Sequence, residues 1–555
     1  EIVPYTDEGL KGYLSSCLVK GIGEKTADDI IKRFGADTLN IIENSPEKLL
    51  EIKGISEQKL EDIKRTFNES YSVRSLMMLL SPFNISVTAA THIYDYFGAK
   101  SIDILTDNPY ELCNIPGFGF KRVDAIVKKG DTPLNSPMRI RGAVITALET
   151  QKQDNGHLFI DERTLVQTTA EMLNEALPST DMLVKTAEID SVIDNMILKG
   201  DIVANEGRIY STKSFVLENE TAERIGRLLA IPPKKIDISA ILEHVRKNLG
   251  IALSDKQSEA VYMAFSSNLS IITGSPGTGK TTVLKAIIEV YKALYPKEKI
   301  KLAAPTGRAS RRMAESTGET DASTLHSMLG LQNEDGYFKK DKEFEPIGAG
   351  LIIVDESSMI DMWLARQFFM RIGNNTKIVL VGDPDQLQSV GAGDVFRQLI
   401  NSGLIPVTVL DKIFRQKDGS RIALNARAIN NDQTKLSYGD DFCFYKCQTQ
   451  DQAADIIKRA FCDLTEKYGI ENVQILSPYR KKGAAAANEL NLAIREIVNP
   501  YKGGLPDLRI GADYFRVGDK VMQNKNNSKA SNGDIGFIRD IGTDKDNKAV
   551  ITIEF

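Results

Sequence analysis

Three kinds of hydrophobic spacing follow one another along this chain. Over the first 130 residues apolar positions recur at helical intervals in short runs. The runs are broken at Gly21-Ile22-Gly23, Gly54-Ile55-Ser56, Ile85-Ser86 and Gly117-Phe118-Gly119. That spacing predicts short helices joined by tight turns. The pattern also repeats. Phe34-Gly35-Ala36 returns as Phe97-Gly98-Ala99, an offset of 63 residues (98 − 35), and Ser45-Pro46-Glu47 aligns with Asn108-Pro109-Tyr110 at that offset. Gly54-Ile55 aligns with Gly117-Phe118 in the same way. Coincidences at one offset predict a duplicated block, each half holding two helix-turn-helix units of about 32 residues.

Residues 131–137 are rich in Pro, Asn and Ser and predict a linker. Residues 138–211 then mix amphipathic helical spacing with two short β-compatible edges, 156–160 and 207–210. That order is winged-helix-like, and His157 falls at a strand end rather than in a ligand set. A charged helical connector follows over 218–250. The third kind of spacing is the short, mostly apolar β-compatible run, at 269–272, 351–354 and 377–381. Such runs predict parallel strands buried on both faces, with helices between them.

Composition changes this picture little. The 555 residues predict roughly three to five domains, and 42% hydrophobic with 26% charged residues is ordinary for a globular chain. No apolar run reaches the roughly 18 residues of a membrane span, and no signal-peptide pattern opens the chain. The net charge of −5 argues against a protein that coats polyanions generally, while leaving room for a narrow basic groove. Cys17, Cys113, Cys443, Cys447 and Cys462 form no CxxC pair, and nothing near Cys443 and Cys447 completes a metal site. Reduced thiols and a cytoplasmic location are expected.

The chemistry lies after the apolar runs. Residues 269–272 lead into Gly274-Ser275-Pro276-Gly277-Thr278-Gly279-Lys280-Thr281-Thr282 and then a helix, a phosphate-binding P-loop in its strand–loop–helix setting. Gly274, Gly277 and Gly279 let the backbone wrap a phosphate at the positive end of a helix, with N–H groups from Thr278 onward. Lys280 is expected to neutralise β- and γ-phosphate oxygens, and Thr281 to ligate Mg²⁺. The run 351–354 ends on Asp355-Glu356. Asp355 is expected to hold Mg²⁺ and Glu356 to activate the hydrolytic water. ATP and Mg²⁺ are therefore the expected cofactors.

The run 377–381 ends on Gly382-Asp383-Pro384-Asp385-Gln386-Leu387, which resembles motif III of superfamily-one helicases. Gln388 stands where that family usually has Pro. Other segments resemble the family in its own order, and the likeness implies their roles. Gln257 is placed like the glutamine that reads adenine. Pro305, Thr306 and Arg308 sit in a motif Ia-like run, and Thr324 and His326 in a motif Ib-like one; both motifs contact the single strand. Gln386 is implied to sense the γ-phosphate, and Arg415, in Ile413-Phe414-Arg415-Gln416, to reach it from a second motor domain. Residues 474–480 look like a strand and turn of that domain. The Gly-Ile-Gly turn resembles the helix-hairpin-helix module, where Lys25 and Lys121 could assist phosphate contact.

Taken together the sequence resembles a RecD-like ATP-dependent helicase, superfamily-one and 5′ to 3′, of the stand-alone type with an N-terminal helix-hairpin-helix extension. The expected fold is multidomain. Tandem helix-hairpin-helix repeats (1–132), a winged-helix-like domain (137–217) and the connector (218–250) precede two α/β RecA-like motor domains. These span 251–395, with a hairpin insertion at 331–347 as a candidate strand-separating pin, and 396–510. A partial SH3-like β insertion (511–555) follows. The family's motifs V and VI, with a second catalytic arginine, do not occur, and the chain opens on Glu1 rather than Met. The sequence thus reads as truncated at both ends, expected to bind nucleotide but to hydrolyse and unwind poorly. Single-stranded DNA and duplex junctions are the implied partners of a monomer acting in repair or recombination. A P-loop ATPase of another class, AAA+-like, and a DNA-binding module with an inert motor are the alternatives.

Overall fold

The computed structural model describes residues 11, 14, 22–52, 54–69, 76, 87–115, 117–127, 133–175, 183–233, 236–319, 321–331, 345–412, 420–501, 507–510, 513–524, 530, 532–543 and 549–555. The chain divides into two compact units, Glu1–Glu220 with Gly391–Gly393, and Thr221–Val390 with Asp394–Phe555.

In the first unit the repeat is structural. Helices α1 (Glu24–Phe34), α2 (Thr38–Asn44) and α3 (Glu57–Glu69) return 63 residues later as α4 (Val87–Phe97), α5 (Ser101–Asp107) and α6 (Phe120–Val127). The 3₁₀ turns Gly35–Asp37 and Pro46–Glu51 return as Gly98–Lys100 and Pro109–Asn114. Gly35 and Gly98 adopt φ of 53° and 65°, and Gly54 and Gly117 φ of 103° and 88°, a region open chiefly to glycine. The expected turn at Ile85-Ser86 and the residue Gly21 lie outside the described residues.

Helix α7 (Pro137–Asp154) begins the next segment, followed by β1 (Phe159–Asp161), α8 (Glu162–Asn174), α9 (Thr186–Leu198), β2 (Ile202–Asn205) and β3 (Arg208–Ser211). The strands form an antiparallel sheet in the order β1-β3-β2, the winged-helix-like arrangement expected. The predicted linker at 131–137 does not divide the packing. One apolar core runs from Leu76 and Ile93 through Phe120 and Val144 to Ile209, whereas the first repeat half has a separate core around Ile30 and Leu49. Arg139 of α7 lies in that junction, 1% exposed, with Nε and Nη2 donating to the two carboxylate oxygens of Asp124 on α6 at 2.8 and 3.0 Å.

Helix α10 (Thr212–Leu229) runs past residue 217, and α11 (Ser239–Leu249) follows. The connector expected at 218–250 is instead part of the motor's packing. Ile225 and Leu228 join one face of its core, Ile238, Leu242 and Val245 the other. Then come α12 (Asp255–Ser266), β4 (Leu269–Gly274), α13 (Lys280–Leu294), β5 (Ile300–Ala304), α14 (Gly307–Thr317), β6 (Ala322–Thr324) and α15 (Leu325–Met328). After them lie β7 (Leu351–Val354), α16 (Met362–Met370), β8 (Lys377–Gly382), α17 (Val395–Asn401) and β9 (Val407–Leu410). The strands build a six-stranded sheet, β6-β5-β7-β8-β4-β9, and every pairing in it is parallel. Strands β4, β7 and β8 are buried along their whole lengths, as their largely apolar runs predicted.

Strand β9 lies beyond residue 395, where the sequence placed the end of the first motor domain. It pairs with β4 from Ile271↔Val407 to Gly274↔Leu410, so the sheet is complete only at Leu410. Without it β4 would present an open edge of unpaired backbone groups. Past Leu410 the described residues hold α18 (Arg421–Asn430), α19 (Gln450–Tyr468) and α20 (Ala487–Val498). The strand expected within 474–480 does not form a paired strand among the described residues. Its alternate residues Val473 and Ile475 pack on Phe461, Leu490 and Ile494, and lacking a hydrogen-bonding neighbour it forms no ladder. Of the candidate pin at 331–347, residues 332–344 lie outside the described residues.

The chain then makes a hairpin, β10 (Leu508–Ile510) with β11 (Asp513–Phe515), and an antiparallel sheet, β12 (Lys520–Met522), β13 (Ile535–Thr543) and β14 (Ala549–Glu554). This part is pinned to α20. Buried Arg516 donates to Asp507 from Nε at 2.8 Å and to Glu496 from Nη2 at 3.2 Å, while Arg495 pairs with Asp519 at 3.0 Å. The polar anchor therefore reaches back of residue 511. Among the described residues no helix is long and apolar enough to cross a membrane.

Candidate nucleotide site

The buried strand β4 ends at Gly274, and here the packing demands glycine. A Cβ would come within 2.6 Å of the Leu410 carbonyl oxygen and 2.8 Å of Thr278 Oγ1. The loop then turns through Gly277 and Gly279, at φ of 88° and 82°, and feeds directly into α13. Thr278, 1% exposed, braces the loop by donating from Oγ1 to the Ser275 carbonyl at 2.9 Å. The Lys280 ammonium, first residue of α13, donates to the carbonyl of Gly274 and to that of Ser275 at 3.4 Å. Its charge is thus held over the loop at the helix N-terminus, the arrangement that receives a phosphate. Thr281 and Thr282 begin the same helix; Thr281 lines the cavity described below.

Gln257 supports this loop from behind. It is 3% exposed and completes a capping box at the start of α12. Its Oε1 accepts from Ser254 N–H at 3.0 Å, and its Nε2 donates to the Thr278 carbonyl at 3.2 Å. The residue expected to read adenine is therefore also a strut of the P-loop.

Asp355 and Glu356 stand at the C-terminal end of β7. Burial pushes both carboxyls above their ordinary values; for Glu356 the neighbouring Asp355 adds to the effect, and Lys280 and Arg312 partly offset it for both. Glu356 takes a left-handed backbone, φ 52°, costly for a residue with a side chain. Its N–H bonds to Asp355 Oδ1 at 2.9 Å. At the end of β8, Asp383 is 5% exposed and organises the next loop. Its Oδ2 accepts from Gln386 Nε2 at 3.2 Å, and its Oδ1 from Asp385 N–H at 3.1 Å.

A cavity of about 1400 Å³ brings these motifs together: Gly277, Lys280 and Thr281 with Asp355, Glu356 and Gln386. Arginines from α14 join them, Arg308, Arg311 and Arg312. Sequence reading placed Arg308 on the DNA path and missed the other two. The signal was present, since 308, 311 and 312 share one face at helical spacing. Arg311 also pairs with Asp534 of the loop before β13, which lines the cavity too.

The remaining predicted residues are distributed differently. Pro305 follows β5, while the Thr306 and Thr324 hydroxyls cap helices α14 and α15, accepting from Ala309 N–H at 3.2 Å and Ser327 N–H at 3.1 Å. His326 is half-buried beside Trp363, ring centroids 6.3 Å apart, and burial holds its pKa low against the pull of Asp361. Arg415 lies outside the described residues. Lys121, in the fourth hairpin, forms an exposed ion pair with Glu175 at 2.6 Å. No cluster of three or more His, Cys, Asp or Glu able to hold a metal occurs among the described residues. A nucleotide-borne ion needs fewer, and the hydroxyl of Thr281 with the carboxylate of Asp355 are the hard oxygen donors that Mg²⁺ prefers.

Comparison with known proteins matches these segments in order. The family models are the SAM-like helix-hairpin-helix tandem over 14–69 and the ATP-dependent RecD2 DNA helicase HHH domain over 69–159. The AAA domain matches over 252–447, and the ATP-dependent RecD-like DNA helicase SH3 domain over 490–555. The ATP-dependent RecD2 DNA helicase of Deinococcus radiodurans is 29% identical over 542 residues, 96% of this chain and 73% of that one. The RecBCD enzyme subunit RecD of Haemophilus influenzae is 36% identical over 167 residues, 26% of each chain. The chain thus spans nearly three quarters of the first relative and about a quarter of the second. A solved Pif1 helicase from Candida albicans aligns at 22% identity over 55% of this chain and 75% of that one, with a TM-score of 0.32, too low to bear on the fold.

Proposed function

Because this chain belongs to the RecD-like ATP-dependent DNA helicases, we propose that it hydrolyses Mg-ATP in the cavity at the ends of β4, β7 and β8. The energy would drive movement, 5′ to 3′, along single-stranded DNA toward duplex junctions. Repair or recombination is the setting proposed for this activity, with the protein acting as a monomer in the cytoplasm. One observation carries the reading: a single cavity collects Lys280, Asp355, Glu356 and Gln386 from three separate sequence motifs.

Each group has a task that its surroundings support. The loop N–H groups and Lys280 bind the β- and γ-phosphates. Thr281 and Asp355 would hold Mg²⁺, which supplies charge neutralisation on the phosphates when bound. Glu356, with a carboxyl raised by burial, is suited to take a proton from water. Gln386, held by buried Asp383, senses the γ-phosphate, and that loop is the link by which nucleotide state passes to the DNA track. Gln257 contacts the base while bracing the loop. Arg415 is proposed to reach the γ-phosphate from the second motor domain, and Pro305, Thr306, Arg308, Thr324 and His326 to line the strand's path. Arg308 then faces both nucleotide and DNA.

Strand displacement on 5′-tailed and 3′-tailed duplexes, with ATP and Mg²⁺ and with Lys280→Ala as the control, tests this on the full-length protein. Unwinding of the 5′-tailed substrate alone, lost in the variant, is the expected result. Preference for the 3′ tail would overturn the polarity, and ATP-independent displacement would overturn the motor.

A further inference from the structure

Several polar groups of the cavity have no task in this scheme, and one of them is also buried without a hydrogen-bond partner among the described residues. Ser358 sits in the 3₁₀ turn Ser357–Met359, directly after Glu356, is 4% exposed, and lines the cavity with Asp355, Glu356 and Gln386. Its neighbour Ser357 is satisfied, donating from Oγ to the Val354 carbonyl at 2.9 Å. Ser358 Oγ has no hydrogen-bond partner among the described residues. A buried hydroxyl without a partner is unfavourable, and native structures keep only a few.

The backbone that carries that hydroxyl is also held in place. The Ser358 N–H lies against the end of β8, where a Cβ on Gly382 would come within 3.2 Å of its nitrogen. Gly382 directly precedes Asp383, the residue that holds Gln386. On the other side stands Glu356 in its left-handed conformation. The turn is therefore held between the strands that carry the two γ-phosphate-side motifs, and Ser358 lines the cavity beside them.

A hydroxyl can accept and donate at once, which neither Glu356 as a carboxylate nor Lys280 can do. That is the chemistry needed to hold a water. Resting on the ATPase reading above, we propose that Ser358 is a further catalytic residue, whose Oγ holds the attacking water in line while Glu356 takes its proton. In that step the water oxygen bonds to the γ-phosphorus and the bond from phosphorus to the bridging oxygen breaks. One water hydrogen passes to Glu356 as a proton, the other stays on the released phosphate, and ADP leaves with the electron pair. Ser358 keeps its own hydrogen throughout.

DNA-stimulated ATP hydrolysis by full-length wild type and Ser358→Ala, with the affinity of each for a non-hydrolysable ATP analogue and the melting temperature of each, tests the proposal. Loss of a group that orients the nucleophile lowers kcat by on the order of 10²-fold. KM and analogue affinity stay at wild-type values, and the melting temperature does not fall. A wild-type kcat in Ser358→Ala overturns the proposal, and so does a higher KM with kcat intact, since the hydroxyl would then grip nucleotide rather than water. If wild type itself fails to hydrolyse ATP while binding the analogue, the ATPase reading falls and takes this inference with it. A slow Ser358→Ala beside an active wild type separates the two.

Discussion

The side-chain amide of Gln257 donates to the carbonyl of Thr278 at 3.2 Å, joining the helix before β4 to the loop after it. Through this bond and its capping box, Gln257 links helix start and phosphate loop. Replacing it with Ala removes a cap and leaves a buried carbonyl unpaired, each worth about 1 kcal/mol or more. Gln257→Ala is expected to weaken nucleotide binding about tenfold, the equivalent of about 1.4 kcal/mol, and to lower the melting temperature. Titration with a fluorescent ATP analogue and a thermal melt measure both; a loss of affinity with no loss of stability would show that Gln257 acts on the base alone.

Asp355 should be a liability to the nucleotide-free fold. Its carboxyl is raised chiefly by burial, so folding favours the protonated form, and the charged form costs stability above the folded-state value. That cost fades as pH falls through the folded value toward the unfolded one. Asp355→Asn, which keeps an oxygen for the Glu356 N–H, is expected to melt higher than wild type at neutral pH and to hydrolyse no ATP. The gap in melting temperature should close on acidification through the carboxylate range. A gap that widens instead would contradict this.

Glu356 is assigned proton transfer and Gln386 signalling, so their variants should differ. Glu356→Gln is expected to lose about 10²- to 10⁴-fold in kcat, the usual worth of a general base, with nucleotide still bound. Gln386→Ala is expected to bind ATP normally and to lose the stimulation by DNA. Basal and DNA-stimulated rates on the same preparations distinguish them; retained stimulation in Gln386→Ala would remove it from the coupling path.

In the first unit the bidentate pair of Arg139 and Asp124 is nearly out of water, 2% and 6% exposed at the side chains. Tyr110 adds its hydroxyl to the same carboxylate at 2.7 Å, and burial with that carboxylate pushes the phenol's pKa far up. Removing one partner strands the other charge, at about 3–5 kcal/mol. Arg139→Ala should therefore expose residues 76–211 to limited proteolysis while leaving nucleotide binding intact. Equal protease resistance of variant and wild type would show the pair to be dispensable.

Much of this was legible in residue order. The 63-residue repeat was read from Gly35, Gly54, Gly98 and Gly117, because positions that need a left-handed backbone constrain residue type locally. The P-loop and the Asp355-Glu356 pair were legible for the same reason. The sites of error were non-local. Nothing in 407–410 says that it pairs with β4, nothing in 218–250 says that Ile238 and Leu242 enter the motor core, and 474–476 has strand spacing without a strand partner.

Alone, then, the sequence determined the repeat, the buried strands, the phosphate loop and the carboxylates that follow β7, since each rests on chemistry within a few residues. Only the tertiary structure decided that Gln257 braces Thr278, that Arg311 and Arg312 line the cavity, and that Ser358 stands there without a partner among the described residues. Those are distances between segments up to 223 residues apart, and a distance of that kind is set by how whole elements pack, which local spacing does not encode.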